Sequence, residues 1–259
     1  MKPPLKSVAV VTGATSGIGY VFADRLARRG HQLLLVARDA ARLDARATDL
    51  MRAYGVEARS FAADLSREDD IERLARVLEA GAEIGVLVNN AVFGTKGKIH
   101  KTDLEAQMRM LKLHVLAPMR LSRAVLPAMV QRGNGWVINV SSIAGFMYGQ
   151  GNSNYCATKA YLTRFTQALD TELYKTGVVV QALCPGFTHT EFHDRMKVDK
   201  RTINSMLWMS AERVVDESLA AAERGAPVVY IPGKRNRLIV GLVQLLPHSL
   251  MRRGKRLGR

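Results

Sequence analysis

Tyr155 and Lys159 stand four residues apart in Tyr155-Cys156-Ala157-Thr158-Lys159 and could do proton chemistry. On a helix, that spacing puts both side chains on one face. Ser142 lies thirteen residues before Tyr155, just after the apolar run Trp136-Val137-Ile138-Asn139-Val140. That run predicts a buried strand. A hydroxyl at the strand end can then meet a phenol and an ammonium from the next helix. The phenol is a candidate general acid. Its reference pKa is about 10, roughly 3 units too high for proton transfer near neutrality. Closing that gap takes about 4 kcal/mol of preference for phenolate. One ammonium about 4 Å away, at an effective dielectric of about 20, supplies that amount. A second pair at the same spacing, Tyr230 and Lys234, spans Pro232-Gly233 and cannot ride one helical turn. It is read as structural.

The elements that must position these groups follow from the rest of the chain. Its 259 residues suit one large α/β domain, and 47% apolar content is enough for a full core. No run of about 18 apolar residues appears, so no transmembrane span is expected. Residues 1–7 lead straight into the first strand, which leaves no room for a signal peptide. Cys156 and Cys184 make no disulfide framework, and a reducing cytoplasm is the simplest setting. The net charge is +15, from 38 Lys+Arg and 23 Asp+Glu. Residues 234–259 hold 8 of the basic residues and no acidic one, which leaves the other 233 residues at 30 − 23 = +7. A mildly basic body suits an anionic cofactor.

Val8-Ala9-Val10-Val11 is an apolar run followed by Thr12-Gly13-Ala14-Thr15-Ser16-Gly17-Ile18-Gly19 and then a helical pattern from Tyr20 to Arg29. Strand, Gly-rich turn and helix are what a phosphate cradle requires. Glycines admit close backbone approach, and the helix N-terminus adds its dipole. Gln32 to Ala37 predicts a second strand, with Arg38 at its end. An acidic residue there would hold a ribose 2′-hydroxyl, whereas Arg favours a 2′-phosphate and therefore NADP(H). A solvated surface charge is the other reading of Arg38. Asp64, after the strand expected over 56–62, can hold an adenine amino group or cap its own turn. Ser66 is expected to cap the next helix. Asn89-Asn90-Ala91 closes a fourth strand, where the amides can tie loops together or contact a ribose. Residues 104–130 read as helical, with Pro118 and Pro127 expected to bend or break the helix. Val178 to Leu183 predicts a sixth strand, stopped by Cys184-Pro185-Gly186. Residues 187–209 suit a mobile flap, Ser210 begins a helix, and Val228 to Ile231 is a seventh strand. Alternating strands and helices predict a doubly wound parallel sheet, Rossmann-like, of about seven strands with helices on both faces.

On these motifs the chain resembles the short-chain dehydrogenase/reductase family over residues 5 to 233. Thr12-Gly13-x-x-x-Gly17-x-Gly19 matches its cofactor turn. Asn89-Asn90-Ala91 matches Asn-Asn-Ala-Gly, except that Val92 replaces the Gly. Ser142 with Tyr155-x-x-x-Lys159 matches its catalytic set, and Pro185-Gly186-x-x-x-Thr190 its nicotinamide-side motif. The resemblance implies that Tyr155 passes the substrate proton. It implies that Lys159 lowers the Tyr155 pKa and binds the nicotinamide ribose, while Ser142 polarises the carbonyl. Gly13, Gly17, Ile18 and Gly19 would hold the pyrophosphate, Asp64 and Asn90 the adenine and ribose, and Thr190 the carboxamide region. Thr15, Ser16, Leu65, Ala91, Pro185, Gly186 and Thr188 complete the implied cofactor set; no metal is implied. A homodimer or homotetramer is expected. Family members often place a relay Asn where His114 stands here. Imidazole can also donate and accept, so His114 is either a relay or a packed core residue.

The expected domain covers residues 1–233, with a basic, partly apolar tail over 234–259. Residues 238–246 are nearly all apolar, and Arg252, Arg253, Lys255, Arg256 and Arg259 follow. Such a segment can lie on an anionic membrane, line a pocket, join subunits or stay solvated. Nucleic-acid binding is not expected, because no aromatics interleave with the basic residues. The leading expectation is an NADPH-dependent reductase of a hydrophobic ketone or aldehyde, or the reverse alcohol oxidation, on a 3-oxoacyl or steroid-like substrate. The rival is a cofactor-binding regulatory or scaffold protein with this fold and little turnover.

Overall fold

The computed structural model describes residues 7–81, 84–148, 151–192, 196 and 204–245. Seven parallel strands form the main sheet: β1 (Val8–Thr12), β2 (Gln32–Ala37), β3 (Ala58–Ala62), β4 (Ile84–Asn89), β5 (Gly135–Val140), β6 (Val178–Leu183) and β9 (Val229–Tyr230). Their order is β3-β2-β1-β4-β5-β6-β9. Helices α1 (Gly17–Ala27), α2 (Ala40–Tyr54), α3 (Glu68–Ala80), α4 (Leu104–Leu111), α5 (Ala117–Arg132), α6 (Ser153–Glu172), α7 (Ala211–Glu223) and α8 (Lys234–Leu245) surround it.

Both faces of the sheet are covered, so the central strands are apolar without alternation. The period of two survives in where each side chain goes. Ala9, Val11, Trp136 and Ile138 pack on one face with Phe22, Leu43, Leu50 and Val215. Val10, Leu87 and Val137 pack on the other with Ile71, Leu74, Leu121 and Met129. Successive strands run outward from β1 to β3, and the chain then crosses back to place β4 on the other side of β1. The connections diverge there and leave a crevice beyond the strand ends.

Several local expectations change. The helical segment is not broken by proline. Pro118 has no N–H to give, and a π turn over Lys112–Leu116 precedes it, in which the Ala117 N–H reaches the Lys112 carbonyl. Pro127 lies inside α5, which continues to Arg132. The residue flanking the start of α3 is Arg67, not Ser66. The Ser66 hydroxyl instead donates to Asp64 Oδ1 at 2.7 Å. The base of the expected flap is tied by a small parallel pair, β7 (Thr188–His189) with β8 (Met209–Ser210). Residues 193–195 and 197–203 of that flap lie outside the described residues. Residues 234–245 form helix α8, while the basic cluster from Arg252 to Arg259 lies outside the described residues.

Candidate active site

The end of β5 delivers Ser142, and α6 delivers Tyr155 and Lys159 from its first two turns. Ser142 stays extended, with φ −167°, and its Oγ accepts from the Ala144 N–H at 3.1 Å. The same Oγ donates to the Pro185 carbonyl at 3.5 Å. The Tyr155 phenol lies near the Ser142 side chain, whose influence lowers the phenol's pKa. The Tyr230–Lys234 pair is split between β9 and the start of α8.

The electrostatics depart from the simple sequence arithmetic. Lys159 Nζ donates to the Val140 carbonyl at 2.8 Å and stands 5.9 Å from the Tyr155 ring centre. Burial is the largest influence on both groups. It pushes the Tyr155 phenol up to about 12, against the Ser142 side chain, which lowers it. It pushes the Lys159 ammonium down to about 8, with the Cys184 sulfur opposing that fall. At neutral pH the phenol holds its proton and can donate it.

His114 sits in the π turn, fully buried, edge-on to Tyr155 at 5.8 Å between ring centres. Its Nε2 accepts from the Phe93 N–H at 3.3 Å. Its Nδ1 therefore carries the hydrogen and donates to Thr158 Oγ1, 3.0 Å away. Burial, then the Lys159 charge, hold its pKa well below the ordinary histidine value. The ring is neutral with both nitrogens engaged, the arrangement of a packed histidine. A relay through it would need one of these bonds released.

The Gly-rich turn is built as a cradle. Gly13 and Gly17 take φ of 68° and 56°, the left-handed region that glycine enters freely. A methyl group on Gly19 would lie 2.3 Å from the Gly13 carbonyl oxygen and 2.4 Å from Asn90 Nδ2. Ser16 flanks α1 without a side-chain cap bond, so the first N–H groups of that helix face the crevice unsatisfied by it. Ile18 packs on the core, and the Thr15 carbonyl accepts from Arg46 at 3.4 Å. A methyl on Gly17 would lie 3.0 Å from Thr190 Cγ2, so the strand after Pro185-Gly186 closes over the turn. The residues fit a dinucleotide: the glycines let the backbone approach a pyrophosphate closely, and the N-terminus of α1 adds its dipole and N–H groups.

The other expected cofactor residues separate into two kinds. Arg38 is exposed at the end of β2 and pairs with no carboxylate among the described residues. Asp64 takes the turn-capping option, since Oδ1 accepts from the Ser66 N–H at 3.0 Å and from its hydroxyl. Asn90 ties loops: Nδ2 donates to the Thr12 carbonyl at 2.9 Å and to that of Gly13 at 3.3 Å. The Ala91 N–H is held by Thr12 Oγ1 at 3.0 Å, and the Leu65 side chain is in the core. The Pro185 carbonyl accepts from the Ile143 N–H at 3.0 Å. Thr188 is buried and donates to the Gly186 carbonyl at 3.1 Å.

Two buried polar side chains were not legible as site parts. Asn139, inside the apolar run of β5, joins Asn89 at 2.8 Å and Thr166 at 2.9 Å and so locks β4, β5 and α6 together. Its polarity in that run was the available signal. Asn236 of α8 backs the Pro185-Gly186 turn, where a methyl on Gly186 would lie 2.7 Å from its amide. Apolar walls complete the crevice: Phe192 lies 6.0 Å from Tyr155 between ring centres, and Phe93 lies 5.9 Å from His114.

A hydroxyl–phenol–lysine set beside a dinucleotide cradle, at the switch point of a parallel sheet, defines a nicotinamide-dependent oxidoreductase site. Residues 7–201 match the family model for short chain dehydrogenases. The chain belongs to that family. It is 35% identical over 193 residues to the very-long-chain 3-oxoacyl-CoA reductase of Anas platyrhynchos, covering 73% of this chain and 62% of the relative. It is 35% identical over 208 residues to very-long-chain 3-oxoacyl-CoA reductase-A of Danio rerio, covering 79% and 64%. The match thus spans less than two thirds of those relatives' length. Among solved structures, a short-chain dehydrogenase from Sphingobium yanoikuyae in complex with NADPH superposes with TM-score 0.84 at 37% identity, covering 94% of this chain and 96% of that one. The bulky-bulky ketone specific alcohol dehydrogenase from Comamonas testosteroni gives 0.79 at 32%, covering 95% and 96%.

Proposed function

We propose that the protein is an NADPH-dependent reductase of a hydrophobic ketone or aldehyde. The observation that carries this reading is Tyr155 and the buried Lys159 on one face of α6, with Ser142 beside them, next to the glycine turn. NADPH supplies hydride when bound. Ser142 and Tyr155 hold the substrate oxygen, and Tyr155 gives it the proton as negative charge develops there. Lys159 keeps a positive charge beneath this pair, and the Gly13–Gly19 turn holds the pyrophosphate. Arg38 takes the 2′-phosphate; its exposure at the β2 end supports that role. Asn90 acts by shaping the turn. Apolar Phe93 and Phe192 suit a bulky or long-chain substrate, in keeping with the names of the relatives.

The reading includes a cytoplasmic location, membrane association through the C-terminal segment, and a homo-oligomer. The test is fluorescence titration of NADPH and NADH with wild type and Arg38→Asp, followed by turnover on a ketone panel. Tighter NADPH binding that Arg38→Asp abolishes is expected, with NADPH oxidation on bulky ketones. Binding of neither cofactor would instead favour a scaffold protein that keeps the fold without turnover.

A further inference from the structure

Helix α8 turns one side to the protein and leaves the other bare. Asn236 and Val240 are its buried residues. Leu238, Leu242 and Leu245 are 65%, 55% and 82% exposed. Their spacing of four and three residues stacks them in one stripe along the helix. Leucines scattered singly on a surface need no explanation, but three in one stripe form a patch that marks an interaction face.

The charge beside the stripe states what chemistry would cover it. Lys234, Arg235 and Arg237 are exposed on the same helix. No Asp or Glu occurs in residues 234–259, against 8 Lys+Arg. A second copy meeting this face with its own would set like charges against each other. A surface that accepts leucines and cations together is an anionic lipid surface. Helices that bind there carry this composition, apolar on one side and basic beside it.

The same helix adjoins the substrate side of the active site. Arg235 Nη1 donates to the Met206 carbonyl at 3.2 Å, and the Met206 side chain is 60% exposed. The Asn236 amide donates to the Pro232 carbonyl at 2.9 Å and contacts Met209 Sδ at 3.4 Å, at the base of the flap. A lipid surface under α8 would therefore lie next to Met206 and the β8 strand.

We propose that α8 docks on an anionic membrane surface, with Leu238, Leu242 and Leu245 among the acyl chains and Lys234, Arg235 and Arg237 at the headgroups. The site then takes its hydrophobic carbonyl substrate from the bilayer past Met206 and Met209; this last step rests on the reductase reading above, whereas the docking does not.

The full chain is floated with vesicles of phosphatidylcholine, alone and with phosphatidylserine. The Leu238→Glu/Leu242→Glu variant and the single Leu245→Glu variant are run beside it. Wild type binds the phosphatidylserine vesicles at least about tenfold better than phosphatidylcholine alone, because three basic side chains meet anionic headgroups. High salt weakens that binding. Both variants lose it while reducing a water-soluble ketone at the wild-type rate, which also shows that they are folded. Absence of wild-type flotation overturns the proposal, and so does equal flotation of the folded variants. Self-association of wild type in sedimentation velocity without lipid, abolished by Leu245→Glu, would assign the stripe to a second copy and overturn it too. Failure of the reductase reading would show as no ketone turnover by wild type and would leave the flotation contrast intact.

Discussion

Burial moves Tyr155 up to about 12 and Lys159 down to about 8, so proton transfer here is governed by two opposed desolvations. Tyr155 stays protonated across the physiological range, as a general acid must. Lys159 loses its charge above about 8, so kcat/KM for reduction is expected to be flat below that pH and to fall above it. A pH–rate profile checks this, since kcat/KM reports the free enzyme. The linkage sign also follows. A lysine whose folded pKa lies below its unfolded 10.5 binds fewer protons folded than unfolded between about 8 and 10.5. Stability therefore rises with pH across that window, by an amount on the order of 3 kcal/mol at most from this group. Lys159→Met should flatten the rise in urea midpoints between pH 8 and 10. Tyr155→Phe should cut kcat about 10²- to 10⁴-fold while changing NADPH affinity by only a few-fold. An equal loss in NADPH binding would mean that the hydroxyl positions the cofactor and does not merely pass a proton.

At the scale of elements, the site depends on close approaches that tolerate no added atom. Gly19 lets α1 start against the Gly13 carbonyl and the Asn90 amide, and Gly19→Ala forces both apart. The expected outcome is loss of most NADPH binding, read by titration, with the far-ultraviolet circular dichroism retained. Asn236 plays a similar part for the Pro185-Gly186 turn from the opposite side. Asn236→Ala leaves the Pro232 carbonyl without its buried donor and should cost about 1–3 kcal/mol in urea denaturation. It should also weaken NADPH binding, because Pro185 holds both Ile143 and Ser142. The π turn before Pro118 serves positioning too. It carries His114, which packs edge-on against Tyr155. A denaturation loss in Asn236→Ala without any NADPH effect would make Asn236 a structural prop alone.

At the scale of the molecule, the crevice lies where the sheet order reverses, between β1 and β4, and the flap base and α8 close its far end. Binding there ties together both halves of the sheet, so a cofactor stabilises the whole fold by mass action. NADPH at about 100 times its Kd should add roughly 2.7 kcal/mol. Thermal melts with equal concentrations of NADPH and NADH check this, and the NADPH shift should be the larger. Arg38→Asp should remove that difference without changing the melt of the free protein.

The sequence by itself determined the seven strands of the main sheet and their intervening helices, the glycine turn, and the alignment of Ser142, Tyr155 and Lys159; the β7–β8 pair and helix α8 it did not. The features it determined depend on local period and short spacing, which a single chain segment states completely. The tertiary structure alone decided what each polar group is bonded to. His114 is satisfied by Phe93 and Thr158, 21 and 44 residues away. Lys159 turns to the Val140 carbonyl, Asp64 closes its own turn, and Asn236 reaches back to the turn at Gly186. These partners are set by how layers pack and how deeply each group is desolvated, and neither quantity is carried by spacing along the chain.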